Sequence, residues 1–212
     1  MSWLPDSPIW RWTALGVLIL VVVAGLAGAG FAWHSSQEAK ARAAYAEAME
    51  QVQRTQAPDA PPAARDRAIA ALEAVVAAHG RSSVMPQAAY HLGNLRYAAG
   101  QYAQARGAYE VAIAKGATGT IRLMSALGIA YTWEAEKDYA KAQATLQAAL
   151  ADRTPKDFLY EELLVNLARV QELAGNRDAA RETYQRLLKD VPDSRRADDV
   201  RSRIASLSAA TK

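Results

Sequence analysis

PQAAYHLGNLRYAAGQYAQARGAYEVAIAKG, residues Pro86 to Gly116, is the stretch whose reading decides the fold. It divides into two short amphipathic helices joined at Gly100-Gln101. Gly93 follows Leu92, Ala105 lies twelve residues beyond Gly93, Tyr109 four further on, and Ala112 three beyond that. Small residues at a helix crossing let two backbones approach closely, and large ones fill the space beside them. Pro86 suits the first turn of the first helix, where its missing N–H costs no hydrogen bond. The segment predicts a helical hairpin.

The pattern recurs downstream. Leu127-Gly128, Tyr131, Ala142, Leu146 and Ala149 form a second copy, with Pro155 after it. Leu167-Ala168, Gly175, Ala180, Tyr184 and Leu187 form a third, followed by Pro192. The spacing from small residue to alanine is twelve in the outer copies, but Gly128 to Ala142 is fourteen. That difference predicts a middle turn about two residues longer, around Ala135 to Asp138. Upstream, Ala68, Leu72 and Val75 read as the second helix of a degenerate copy. Its first helix would be Ser36–Arg54, set apart by TQAPDAPP (Thr55 to Pro62), whose three prolines break a helix. At the other end, RRADDVRSRIASL presents Val200, Ile204 and Leu207 as the narrow apolar face of a capping helix.

These offsets resemble the tetratricopeptide repeat, a helix–turn–helix unit of about 34 residues. A generic alanine-rich bundle would not need Gly or Ala at fixed positions. The resemblance covers roughly residues 36–208: a degenerate copy at 36–80, copies at about 86–116, 120–153 and 157–191, and a cap at 195–208. The expected fold is all-α, a repeat solenoid behind a single transmembrane helix.

That helix is TALGVLILVVVAGLAGAGFAW, Thr13 to Trp33, which carries no charged side chain. At about 1.5 Å per residue it spans roughly 30 Å, the hydrocarbon thickness of a bilayer. A short tail, residues 1–12, precedes it. Trp10 and Trp12 on one side and Trp33 on the other suit the headgroup interface. The run exceeds the roughly 7–15 apolar residues of a signal peptide, so an uncleaved anchor is expected despite small residues at Ala27 and Ala29. Arg11 lies before the span, and Lys40 and Arg42 lie after it. That count leans weakly towards a cytoplasmic repeat domain and does not settle the side. The second half of the span is small: Ala24, Gly28 and Ala32 recur every fourth residue beside Gly25 and Ala29. Such ridges let another membrane helix approach closely.

Composition narrows the chemistry. Among 212 residues, 25 Lys and Arg face 22 Asp and Glu, with the two signs interspersed; no one-sided basic patch points to nucleic acid. The chain has no cysteine, which excludes disulfides, thiolate metal sites and a Cys nucleophile. His34, His79 and His91 are not spaced as metal ligands, so no metal is expected. The carboxylate pairs Glu134/Glu136, Glu161/Glu162 and Asp198/Asp199 read as solvated helix faces. No phosphate loop, dinucleotide fingerprint or nucleophile motif is present, so neither cofactor nor enzymatic activity is expected.

In the repeat family the first helices line a concave groove. The resemblance places Gln87, Tyr90, Asn94 and Tyr97 on it, then Arg122, Ser125, Ile129, Thr132 and Trp133, then Glu162, Val165, Arg169 and Glu172. Tyr90, Asn94, Tyr97, Arg122, Trp133 and Arg169 are the candidates for partner contact. Tyr97 and Trp133 could equally pack between helices. The carboxylate clamp of cytosolic chaperone-binding repeats needs a basic residue where Tyr90 stands, which argues against that activity.

The span, the following SSQEAKARAAYAEAMEQV and the late NLARVQELAGNRDAARETYQRLL together resemble the ancillary SecYEG translocon subunit (YfgM-like) family. LLKDVPDSRRADDVRSRI is also similar to the periplasmic Tol–Pal coordinator family (YbgF/CpoB-like), whose members keep no anchor. The first resemblance implies a bacterial inner-membrane protein with a cytoplasmic N-terminus and periplasmic repeats. It also implies a translocon and an envelope chaperone as partners. The expected function is an interaction scaffold that meets a membrane protein through its anchor and protein or peptide segments through its groove. The alternative is a structural accessory subunit of another membrane complex.

Overall fold

The computed structural model describes residues 8–57, 60–61 and 63–209, with residues 8–11 as backbone only. Pro58, Pro62, most of the expected N-terminal tail and the side chains of Trp10 and Arg11 lie outside the described residues. Every regular element among the described residues is a helix. The helices are α1 (Pro8–Arg54), α2 (Ala63–Ala78), α3 (Met85–Ala98), α4 (Tyr102–Ala114), α5 (Gly119–Ala135), α6 (Tyr139–Leu150), α7 (Tyr160–Leu173), α8 (Arg177–Asp190) and α9 (Ala197–Ala209). Each packs on its neighbours in sequence, and α3 also touches α5, as stacked hairpins require. This is the all-α solenoid that the periodicity predicts.

Helix α1 is unbroken because nothing between Phe31 and Arg54 interrupts it: no Gly or Pro occurs there, and Ala, Glu, Gln, Lys and Arg dominate. Its 47 residues form two different surfaces. From Trp12 to Ser36 every side chain is exposed, including Leu20, Leu26 and Phe31. Beyond that, Ala41, Ala48 and Val52 are buried, the last two against Leu72 and Val75 of α2 and Leu92 of α3. Glu38 pins the junction between the two surfaces: its carboxylate accepts from the Ser83 hydroxyl at 2.7 Å and from the Ser83 backbone N–H at 3.1 Å. The Ser83 hydroxyl holds the Glu38 pKa below the usual carboxylate value.

A second core runs from α5 to α9 around Leu146, Leu163, Leu164, Leu167 and Leu187. It closes on Val200 and Leu207 of α9, both buried, with Ile204 packed beside them. At the start of α7, the Tyr160 hydroxyl donates to Asp190 Oδ2 at 2.6 Å and accepts from Arg186 Nη2 at 2.8 Å. That bond ties the α6–α7 connection to the end of α8.

The middle turn corrects the sequence reading. Between α5 and α6 only Glu136, Lys137 and Asp138 intervene, the same length as Ala99–Gln101 and Ala174–Asn176. Lys137 adopts φ +61°, where Gly100 and Gly175 have +73° and +79°. Ala142 lies twelve residues beyond Ala130, which is 1% exposed. Ala130, not Gly128, is therefore the counterpart of Gly93 and Ala168.

Candidate partner-binding groove

Gly128 has another duty. A Cβ there would lie 2.5 Å from the ring of Tyr109, and a Cβ at Gly93 would lie equally close to it. The phenol of α4 is thus gripped between the first helix of its own hairpin and that of the next. Its hydroxyl donates to Asn94 Oδ1 at 2.8 Å, which leaves the Asn94 amide N–H groups free to donate elsewhere. Burial pushes the Tyr109 phenol well above its ordinary pKa, so it stays a neutral donor.

Around this pin a groove of about 440 Å³ opens along α3, α5 and the start of α7. Tyr90, Asn94 and Tyr97 lie on one face of α3, spaced by four and three. Met124, Leu127, Gly128 and Tyr131 supply the α5 wall. Leu159, held at φ +67°, and Glu162 close the far side. The Tyr90 ring centre is 6.0 Å from that of Tyr109, and Tyr97 packs on Tyr102 at 5.5 Å. Tyr97 is both packed and 37% exposed.

One polar chain runs along the C-terminal flank of the groove. Arg196 pairs with Glu162 at 2.7 Å, and the Asn166 amide donates to Glu162 Oε1 at 2.9 Å. Arg169 Nη2 in turn donates to Asn166 Oδ1 at 3.0 Å, while Nη1 pairs with Glu134. Desolvation opposes the charge of Arg169, but the hydrogen bond to Glu134 together with the electrostatic attraction of Glu134, Tyr131 and Tyr184 outweighs it and raises its pKa. Glu134 Oε2 is buried and, among the described residues, has no hydrogen-bond partner. Charge-assisted bonds of this kind are short and directional, so the chain of side chains offers a defined hydrogen-bonding pattern.

The sequence-based candidates divide accordingly. Tyr90, Asn94 and Tyr97 line the groove together, and Arg169 borders it, 5.9 Å from the Tyr131 ring. Trp133 lies elsewhere: it is clamped between the Arg106 guanidinium at 3.5 Å and the Lys141 ammonium at 4.3 Å. Arg106 is itself held by Glu136 at 2.7 Å. Arg122 is exposed and does not line the groove, while Ser125, Ile129 and Thr132 are buried in helix contacts. Arg122, Ser125, Ile129 and Thr132 are displaced by the same two-residue shift in register. Counting from Ala130 instead of Gly128 moves the four positions to Met124, Leu127, Tyr131 and Glu134. A glycine in sequence marks a close approach without saying which helix approaches, and at Gly128 it is the helix of the preceding hairpin. Ala24, Gly25, Gly28, Ala29 and Ala32 are all exposed on α1, and a Cβ at Gly25 or Gly28 meets nothing within 4 Å. Among the described residues no three His, Asp or Glu side chains gather as a metal site needs.

Two family models described as tetratricopeptide repeat match this chain, over residues 65–120 and 134–204. The chain is a tetratricopeptide-repeat protein. Its repeats fold like nearly identical TPR-like repeats from Podosopora anserina, with TM-score 0.62 at 18% identity, over 82% of this chain and 87% of that one. MamA from Desulfovibrio magneticus RS-1, residues 41 to the end, superposes with TM-score 0.55 at 13% identity, over 81% and 96% of the two chains. Another MamA structure gives 0.52 at 19% identity, over 68% and 84%. At these identities the likeness is one of fold. No curated protein matches the tetratricopeptide-repeat chain in sequence.

Proposed function

We propose that this tetratricopeptide-repeat protein is a membrane-anchored interaction scaffold whose α3–α5–α7 groove takes an extended segment of a protein partner. The observation that carries the reading is the groove itself. It is concave and aromatic-walled, with the Asn94 amide N–H groups left to donate to a peptide carbonyl. Helix α1 is the only described helix long and apolar enough to cross a bilayer, and none of that stretch is buried in the protein. This supports an anchor. The resemblance to the YfgM-like family supports a bacterial inner-membrane location, periplasmic repeats and an adaptor role beside a translocon or envelope chaperone.

The open ridge of Gly25 and Gly28 favours a second contact, with a helix of a membrane-protein partner. Detergent-solubilised membranes from cells carrying a photocrosslinker at Tyr97 test both contacts. The expected result is a crosslinked partner that is lost in the Tyr90→Ala/Met124→Ala variant and weakened by Gly25→Leu/Gly28→Leu. Undiminished stoichiometric co-purification of both variants would instead favour a structural subunit held by other surfaces. Recovery of soluble cytosolic proteins alone would sink the membrane reading.

A further inference from the structure

Where α1 passes from its exposed apolar surface to its packed one, a cleft of about 660 Å³ opens against the rest of the fold. Trp33 and His34 enter it from α1, His79 and Arg81 from the α2–α3 connection, and Lys115 from the end of α4. Helix direction explains the convergence. Helix α1 runs away from its apolar end, α2 returns towards it, and α3 and α4 repeat the excursion. The ends of α2 and α4 therefore come back to the level of Trp33.

The local charge is one-sided. Arg81 and Lys115 are exposed, and among the described residues neither side chain has an ion pair or hydrogen bond. The one carboxylate in the cleft, Glu38, is within electrostatic range of His34 and Arg42, but its oxygens are already bonded to Ser83. An indole beside these cations marks an interfacial depth, because its ring prefers the headgroup zone.

We propose that this cleft binds the phosphate of an anionic phospholipid headgroup, taken from the leaflet in which the apolar part of α1 ends. The proposal rests on reading α1 as an anchor. Two separate connections supply the cations and α1 supplies the indole, so the bound headgroup ties the first two hairpins to the bilayer surface and fixes the attitude of the solenoid. Lys or Arg at an anionic surface strengthens such contact about fivefold per residue.

The test uses the full chain in nanodiscs of phosphatidylcholine alone, or with phosphatidylglycerol added, and follows amide hydrogen exchange over residues 79–84 and 113–118. Exchange should slow about fivefold or more in the anionic discs, and Arg81→Glu/Lys115→Glu should restore the neutral-disc rates. Equal exchange in both discs would overturn the headgroup site. Slowing by millimolar inorganic phosphate in neutral discs would also overturn it, since a soluble ion would then suffice. The anchor is scored separately, by flotation with vesicles after alkaline carbonate. Flotation with equal exchange rejects the cleft alone, whereas no flotation with either lipid rejects the anchor and the cleft together.

Discussion

A single ring, that of Tyr109, joins two hairpins, and its neighbours show why glycine stands at Gly93 and Gly128. Each position would place a Cβ 2.5 Å from ring carbons that are 3% exposed and held at the hydroxyl by Asn94. Gly128→Ala is expected to destabilise the protein by about 1–3 kcal/mol, because the ring has no room to yield. In a Tyr109→Leu background the same change should cost much less, a coupling that thermal unfolding of the four variants measures. Lys137 is the reverse case. It holds φ +61° at the turn where the flanking repeats have Gly100 and Gly175. Lys137→Gly should therefore raise stability by about 1 kcal/mol in chemical denaturation. Residue type alone made the helices and the α3 wall of the groove readable, since Tyr90, Asn94 and Tyr97 follow a plain helical period. The α5 wall was misread because a glycine serving the preceding repeat looks the same as one serving its own.

At the scale of the elements, α1 doubles as a membrane-length rod and as the first packing partner of the solenoid. The absence of breakers after Phe31 made its continuity legible. Its contact with α3 was not, because that depends on the geometry of the proline-rich connection. His91 sits at this contact, 6.3 Å from the Tyr45 ring and 5.3 Å from that of Tyr90. Burial lowers its pKa below the ordinary 6.5. The unfolded chain then binds a proton more readily than the folded one between those two values, so stability falls as pH drops below about 6.5. Full-length protein in detergent should show a falling melting temperature over that range, and His91→Gln should flatten the slope. An unchanged slope would assign the acid sensitivity to other groups.

For the molecule as a whole, the nine helices among the described residues form one line of stacked hairpins, and the first member of that line leaves it at one end. Glu38 and Ser83 lock this departure, so the solenoid and the rod share one axis of reference. Tyr45, which faces α3 beside the groove, lies twelve residues beyond Trp33, about 18 Å along the helix. Inserting seven residues, two helical turns, between His34 and Gln37 should raise the groove by about 10 Å. A crosslink from Tyr97 should then move roughly three residues further along an extended partner. An unmoved crosslink would mean that the partner arrives from solution. The continuous α1 thus acts as a ruler. With α1 spanning the bilayer as proposed, a chain leaving the membrane beside it pays out about five or six extended residues before it reaches the groove, so the proposed ligands carry a spacer of at least that length.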